Sequence, residues 1–284
     1  HDAEQPDGVV ADSHFPDSRG ELFKTSNDNE TTDAGVRVRP FVRNLLDVFE
    51  ADGEIRAARY RWTTGARARG SRTRLDDTSI IELMQRADAT GPDYERDLLE
   101  IIDMDNWMRT FALIDLASFW DAFGNPNWKN TYLYKPDGGK CVQFTWDFDV
   151  GLGVFGDPTN QALFPSDVDS NIKRMYQTPA FLRSYWRAME ESLGTFFSSA
   201  GVSARLESKR AAYQAAGLNF TSPFSPSGPY NLAVTSWIDQ RAAFIQPQLN
   251  GVGATFQVAG PLNNSSTAEQ TITLSGTAPV GVAS

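Results

Sequence analysis

The sequence predicts an α+β protein that is mainly helical, with one β-hairpin near its middle. Apolar residues recur at helical spacing over most of residues 41–120 and 179–249. Between these two regions, strand-like segments flank the turn sequence KPDGG. Beyond Gly251 the composition shifts to Thr, Ser, Gly, Ala and Val with alternating apolar residues, which is typical of strands. We therefore predict a linker near 250–262, followed by the start of a small β-rich domain.

The elements of the first half follow from helix caps and periodicity. Residues 1–40 are polar and rich in Asp, Gly and Pro, apart from GELFKTS, which is typical of a short strand. From Pro40 the pattern predicts a helix over 41–51, and the segments DDTSIIELMQRAD and DYERDLLEII predict two more. The longest predicted helix of this half runs from Asp105 to Trp120 and carries a broad apolar stripe, so we expect it to be well buried.

A loop, a hairpin and a second loop follow that helix. The loop DAFGNPNWKN contains Gly124 and Pro126, which exclude helix. TYLY and KCVQFTW then form the predicted hairpin over about 131–146, and it leads directly into the glycine-rich loop DFDVGLGVFGD. Helical periodicity returns in three later segments: 179–198, 202–216 and 235–249.

The size, charge and residue inventory exclude several classes of protein. With 284 residues and 40% apolar content, the chain can bury a sizeable core. Its net charge of −10 at pH 7 argues against nucleic acid or an anionic membrane surface as a partner, because both would repel it. Cys141, His1 and His14 are its only cysteine and histidines, so disulfides, a Cys/His zinc site and a Ser-His-Asp triad are poorly supplied. No run reaches the roughly 18 apolar residues of a membrane span. A metal would need oxygen ligands.

Four polar residues form the candidate site: Asp121, Asn130, Asp147 and Asp149. Phosphoryl transfer needs a carboxylate near the acceptor hydroxyl and oxygen ligands that hold magnesium against nucleotide phosphates. Protein kinases carry such residues in this order, with a short hairpin between the Asn and the metal-binding Asp. Here Asn130 follows Asp121 by nine residues, against about five in ordinary kinases. The order therefore predicts a kinase-like site that ordinary kinase signatures would miss.

Each of these side chains also has a structural interpretation. An Asp at a helix end is often a cap or a solvated group, and the sequence DFD also occurs by chance. A site is favoured because all four residues occur together in this order. Asn125 and Asn127 are interpreted as turn formers, because Asn tolerates the left-handed region. Tyr132 and Tyr134 are expected to fill strand faces rather than to stack on adenine, and Phe148 is expected to pack.

The segment WDAFGNPNWKNTYLYKPDGGKCVQFTWDFDVGLG resembles the CotH kinase family of spore-coat proteins. That family has an Asp, a loop ending in Lys-Asn before Tyr-Leu-Tyr, and Trp-Asp-x-Asp followed by Gly. The resemblance extends to GELFK and DMDNWMRTFALIDLAS upstream, and to TPAFLRSYWRAM and WIDQRAAFIQPQL downstream. We take 1–250 as the family domain and 251–284 as a linker with the start of a truncated β-rich domain. Since the family has an N-terminal lobe ahead of the resembling part, we expect a piece of a longer protein.

The resemblance implies the mainly helical C-lobe of an atypical protein-kinase-like fold, with the β-hairpin at the active site. It implies a secreted or cell-surface bacterial kinase that transfers the γ-phosphate of ATP, with Mg²⁺ or Mn²⁺, to Ser or Thr of an extracellular or coat protein. The residues implied for the site are the catalytic Asp121, the metal ligands Asn130, Asp147 and Asp149, and the nucleotide contacts Lys24, Lys129 and Asn130.

Two other functions stay open at the level of the sequence. A catalytically silent surface or adhesion module would keep the fold and bind a partner through an exposed face, but the retained acidic and amide residues favour the kinase. A calcium-stabilised extracellular domain is a weaker alternative, for which DPTN, DVDSN and DFD offer oxygen ligands. The sequence has no calcium loop of about twelve residues with a terminal Glu.

Overall fold

The computed structural model describes residues 13–15, 20–25, 29–32, 35–38, 60–62, 78–123, 130–154, 157–164, 168–218, 222–260, 266, 268 and 271–281. Its helices are α1 (Thr78–Asp88), α2 (Tyr94–Ile101), α3 (Met104–Leu116), α4 (Ser170–Gln177), α5 (Pro179–Thr195), α6 (Ser199–Ala215) and α7 (Val234–Val252). Its strands are β1 (Glu21–Thr25), β2 (Asn29–Thr32), β3 (Gly35–Val38), β4 (Tyr60–Trp62), β5 (Thr131–Lys135), β6 (Val142–Thr145), β7 (Gln257–Gly260) and β8 (Ser275–Thr277). Helices and small antiparallel sheets are thus mixed, which confirms the predicted α+β class.

The predicted hairpin, β5 and β6, lies at one side of a four-stranded antiparallel sheet with the order β4-β1-β5-β6. Leu133 of β5 stands opposite Gln143 of β6 and, on its other side, opposite Phe23 of β1. The GELFK strand and the hairpin therefore belong to one sheet, a pairing that no local sequence pattern indicated. The three-residue strand β4 falls within the region 41–120 that was predicted to be mostly helical, and no local pattern indicated it. The helix predicted over 41–51 lies outside the described residues.

The two faces of this sheet bury different clusters because successive residues of a strand point to opposite sides. Phe23 and Leu133 join the main helical core. Tyr132 and Tyr134 belong to a second cluster on the opposite face. The ring centroid of Tyr132 lies 6.2 Å from that of Trp146, and the centroid of Tyr134 lies 4.8 Å from that of Phe15 (all centroid to centroid). Both tyrosines are buried, which confirms that they fill a strand face.

Helix α3 crosses the core and is tied to β6 at its start. Asp103 caps the helix by accepting a hydrogen bond from the Asn106 backbone N (3.0 Å). The Asn106 amide side chain then pairs with the backbone of Gln143, accepting from its N (2.7 Å) and donating to its O (3.3 Å). The indole Nε1 of the fully buried Trp107 donates to Cys141 O (3.0 Å). These contacts fix the hairpin relative to the helix.

The same helix ends at Leu116, four residues before the predicted end. Ser118 takes a left-handed φ of 49°, its N donates to Asp115 O (3.2 Å), and Phe119 N donates to Ile114 O (2.9 Å). This pair of bonds is the Schellman arrangement that commonly closes helices, usually with Gly at the left-handed position. With Ser in that place the sequence carried no stop signal, so the predicted end was too late.

Helix α4 was not predicted, and it explains part of the acidic segment DVDSN. The buried carboxylate of Asp169 accepts hydrogen bonds from the backbone N atoms of Asn171 (2.8 Å) and Ile172 (3.0 Å). Asp169 is therefore the N-cap of α4. This removes it from the ligands that we considered for calcium.

The chain after α7 forms the small sheet β7-β8 and then returns to the helical core. Arg183 Nη2 on α5 donates to Pro279 O (2.7 Å). Val280 is buried and joins the same core cluster as Leu249 of α7. The small sheet itself is exposed: Phe256 and Leu274 keep 71% and 69% of their surface in solvent.

Candidate active site

Two loops meet at the end of α3 and the end of β6. The first carries Asp121, and the second begins with the DFD sequence at 147–149. Their backbones are joined because Leu152 N donates to Ala117 O (2.8 Å). A Cβ on Gly151 would lie 3.2 Å from that same oxygen, tighter than ordinary van der Waals contact. The glycine therefore permits the close approach of the two loops.

Asn130 links the predicted catalytic Asp to the second loop. It has a left-handed φ of 62°, which Asn tolerates better than most residues. Its Nδ2 donates both to Asp121 O (2.8 Å) and to Asp121 Oδ2 (2.9 Å). Its carbonyl oxygen accepts from Trp146 N (2.7 Å), and Trp146 is the residue before Asp147. Asn130 thus lies between Asp121 and the start of the DFD loop, and its amide Oδ1 is the atom that could ligate a cation.

Asp121 is only 6% exposed, and its backbone is held on both sides by buried aromatic residues. Phe119 stands two residues before it, and its ring centroid lies 4.2 Å from that of Phe148 in the second loop. Phe123 stands two residues after it and packs edge-on against Trp107, with centroids 5.9 Å apart. The carboxylate is therefore fixed in position by packing and by the amide of Asn130.

Asp147 and Asp149 are exposed at the start of the second loop. Asp147 takes a left-handed φ of 54° and precedes a short 3₁₀ turn, Phe148–Val150. Phe148 packs one face on Phe119 and leaves 41% of its surface in solvent, so its predicted packing role is confirmed for one face only. The two carboxylates thus stand on a turn next to the buried Asp121 loop.

The donor atoms of this junction suit Mg²⁺ or Mn²⁺ that also binds phosphate. Asp147, Asp149 and Asn130 offer only oxygen ligands, which these hard cations prefer. Magnesium usually takes one or two protein carboxylates and completes its octahedron with phosphate and water. Within the described ranges, no group of three or more His, Cys, Asp and Glu side chains is arranged to hold a metal ion. The residue types alone therefore match the oxygen donors that such a cation takes.

The two lysines predicted to contact nucleotide remain predictions. Lys24 stands on β1 opposite Tyr132 and Arg61, and its side chain lies outside the part of the chain that the structure describes. Lys129, Asn125 and Asn127 also lie outside the described residues.

A comparison with protein-family models shows which family the chain belongs to. The family model described as CotH kinase protein matches residues 1–217 of the 284. The chain belongs to the CotH kinase family. A comparison with curated proteins found no match. The CotH match contains every predicted site residue and ends before α7, whose WIDQRAAFIQPQL segment we had included in the resemblance.

A buried cluster of ionisable side chains in this CotH chain escaped the sequence analysis. Asp115 lies in the last turn of α3 and accepts a hydrogen bond from the Tyr185 hydroxyl of α5 (Oη to Oδ2, 2.7 Å). Arg241 of α7 is fully buried and donates to the backbone oxygen of Asp115 (2.7 Å). Burial raises the pKa of Asp115 to about 8 and that of Asp157 to about 6. Isolated charges within apolar helix faces, as in ALIDLA, are the signal that could have found them.

The buried Asp115 should make the stability of the fold depend on pH. Its pKa is about 8 in the folded chain because burial outweighs the Tyr185 hydrogen bond and the charge of Arg241, against an ordinary value of 3.8. Between these values the folded chain keeps a proton that the unfolded chain has lost. This group therefore lowers the free energy of unfolding as pH rises from about 4 to about 8.

Asp115→Asn mimics the protonated carboxyl and removes this effect. The melting temperature of the variant minus that of the wild type should increase steadily from pH 5 to pH 8, measured by scanning calorimetry. The raised pKa of Asp157, about 6, also makes the folded chain less stable as pH rises. Since Asp157 is present in both proteins, its contribution cancels in the difference between their melting temperatures. For the exposed Asp93→Asn control, the difference should not change with pH. A difference for Asp115→Asn that is independent of pH would refute the expectation.

Proposed function

We propose that this CotH-family chain provides the catalytic and metal-binding loops of an atypical protein kinase that transfers the γ-phosphate of ATP to Ser or Thr hydroxyls. The observation that carries the proposal is the bonding of Asn130, which donates to Asp121 Oδ2 (2.9 Å) and accepts from the residue before Asp147 (2.7 Å). Its side-chain amide binds the buried carboxylate of Asp121 and its backbone carbonyl binds the residue before Asp147, so one residue connects the two loops in the order that phosphoryl transfer uses.

Each residue has a chemical role in this proposal. Asp121 accepts the proton of the acceptor hydroxyl, and the Asn130 amide keeps its carboxylate oriented. Asp147, Asp149 and the Oδ1 of Asn130 would hold the cation. Mg²⁺ bound there would supply positive charge that neutralises the charge developing on the transferred phosphate. The aromatic packing of Phe119 on Phe148 keeps the two loops at a fixed separation.

The proposed setting is outside the cytoplasm. The name of the CotH family refers to the spore coat, which favours a secreted or cell-surface bacterial protein acting on an extracellular or coat protein. The net charge of −10 disfavours nucleic acid as a partner. Among the described helices, none has the length and apolar character that a membrane crossing requires.

A silent adhesion module is the second candidate, and one observation favours it. Among the described residues, four large apolar side chains are exposed on or near strands β7 and β8: Phe256, Val258, Ile272 and Leu274. Such a patch is typical of surfaces that contact a partner. The kinase is preferred because adhesion gives no reason for a buried Asp121 bonded to Asn130.

The test is nucleotide binding followed by phosphate transfer, both with the full-length protein. ATP and Mg²⁺ together should raise the melting temperature, since a ligand that binds only the folded state adds about 2.7 kcal/mol at 100 times its Kd. ATP labelled at the γ-phosphate should then label a generic protein acceptor. Magnesium alone or ATP with a chelator is the control and should give little shift. A protein that shows neither shift nor labelling at millimolar Mg-ATP would refute the kinase.

A further inference from the structure

Arg241 of α7 holds two separate segments near the candidate active site. Its side chain is fully buried. Nη2 donates to Asp115 O (2.7 Å), at the end of α3, and Nη1 donates to Thr159 O (3.1 Å) and Gln161 O (2.5 Å). The last two carbonyls belong to the chain that follows the DFD loop. One guanidinium therefore connects the helix before the Asp121 loop with the segment after the Asp147 loop.

The chemistry of this contact requires an arginine. The last carbonyls of a helix carry a partial negative charge, so a cation beside Asp115 O is favourable. Burial of a cation is costly unless it is hydrogen-bonded, and the planar fork of guanidinium can serve several acceptors in fixed directions, whereas the ammonium of lysine acts as a point charge. Burial lowers the pKa of the Arg241 guanidinium, and Asp115, Tyr185 and Asp157 oppose that shift. The contact is therefore directional and specific.

Trp237 supports the same segment one helical turn earlier. Its Nε1 donates to Asp157 O (3.0 Å). Gly153 has a φ of 77°, and a Cβ there would lie only 2.4 Å from the Trp237 ring. Helix α7 thus contacts the second loop at Gly153, Asp157 and the carbonyls beyond it. These contacts come from a helix that begins after the CotH match ends at residue 217.

The connection to the site is short. Asp115 belongs to the Schellman turn that directs the chain to Asp121, six residues later. Ala117, in the same turn, accepts the hydrogen bond from Leu152 of the second loop (2.8 Å). A shift of either segment at Arg241 would therefore change the separation of the two loops.

We infer that Arg241 is a positioning residue, which together with Trp237 sets the relative position of the Asp121 loop and the Asp147–Asp149 loop. The inference rests on the proposed function for its catalytic consequence. It makes α7 a necessary part of the active site, although this helix lies outside the family match.

A matched control exists in the same chain. Arg174 of α4 donates through Nη1 to the three carbonyls at the end of α1: Ala87 (3.2 Å), Asp88 (3.1 Å) and Ala89 (2.9 Å). Arg174→Lys removes the same type of contact at a helix end away from both loops. Comparison of Arg241→Lys with Arg174→Lys therefore separates positioning from general loss of stability.

The test combines hydrogen exchange with kinetics on the full-length protein. Arg241→Lys should speed the exchange of the Leu152 amide at least about tenfold, whereas Arg174→Lys should leave it unchanged. Arg241→Lys should also lower kcat for phosphate transfer about 10- to 100-fold with little change in KM for ATP, because misplacement of reacting groups by about 1 Å can cost about 10²-fold. In an Asp121→Asn background the same change should have little further effect on kcat, since it acts through Asp121.

The outcomes distinguish the two proposals. Unchanged Leu152 exchange in Arg241→Lys, or equal effects of the two arginine changes, would overturn the positioning role. If Leu152 exchange is faster in Arg241→Lys but the wild type transfers no phosphate, the positioning role of Arg241 is supported. The same result refutes the proposed kinase activity. If Arg241→Lys does not fold, Trp237→Phe removes one loop hydrogen bond while keeping an aromatic ring, and it should show the same effects at smaller size.

Discussion

Replacement of Asp121 by Asn is expected to lower the rate of phosphate transfer by about 10²- to 10⁴-fold, the usual contribution of a positioned general base. The fold should survive, because the two side chains are nearly isosteric. An amide oxygen can still accept the hydrogen bond that Asn130 Nδ2 gives to Asp121 Oδ2. The packing of Phe119 and Phe123 on either side does not involve the carboxylate. The KM for ATP should change little.

Asp147→Asn should behave differently, because Asp147 is proposed to bind the cation rather than the acceptor proton. Both kcat and the affinity for Mg-ATP should fall. The measurement is kcat and KM for ATP in the full-length wild type and both variants, with the exposed Asp93→Asn as a control that should keep full activity. Equal activity in all four proteins would exclude the kinase and leave the adhesion module as the better account.

Replacement of Trp107 by Ala is expected to reduce the free energy of unfolding by about 3–5 kcal/mol, the usual cost of removing a buried aromatic side chain. Trp107 is fully buried, packs edge-on against Phe111 and Phe123, and donates to Cys141 O (3.0 Å). The change therefore leaves a cavity in the core and removes a bond between α3 and the hairpin. Since domains are stable by only about 5–15 kcal/mol, this is a large fraction of the total.

Chemical denaturation followed by circular dichroism measures this effect. Trp120→Ala is the matched control: that residue is 37% exposed, so its loss should cost much less. If Trp107→Ala does not fold, Trp107→Phe keeps the ring packing, loses the hydrogen bond and should cost about 1–2 kcal/mol. A loss below about 1 kcal/mol for Trp107→Ala would show that the hairpin does not depend on this contact.

Local signals made part of the fold predictable. The turn KPDGG and the flanking aromatic and β-branched residues define β5 and β6 without reference to the rest of the chain. Helical periodicity similarly located α1, α2 and α5. The order of Asp121, Asn130 and Asp147 around that hairpin was enough to nominate the candidate site, since the hairpin returns the chain to its starting point.

Contacts between distant parts of the chain were not predictable. Arg241 and Asp115 are 126 residues apart, and no local pattern links them. The bond between Asn130 and Asp121 depends on a left-handed backbone at Asn130, which composition does not reveal. Helix α4 is short and polar, so its periodicity was too weak to detect, although Asp169 caps it well.

The pairing of β1 with β5 has a consequence for the order of folding. Phe23 and Leu133 are opposite each other although 110 residues of chain separate them, while β5 and β6 are joined by a short turn. Closing the longer loop costs about 2 kcal/mol more chain entropy, so the hairpin should form first and β1 should dock onto it later. Until then the TYLYK edge of β5 is an unpaired strand with aromatic side chains, which is open to pairing with a second chain.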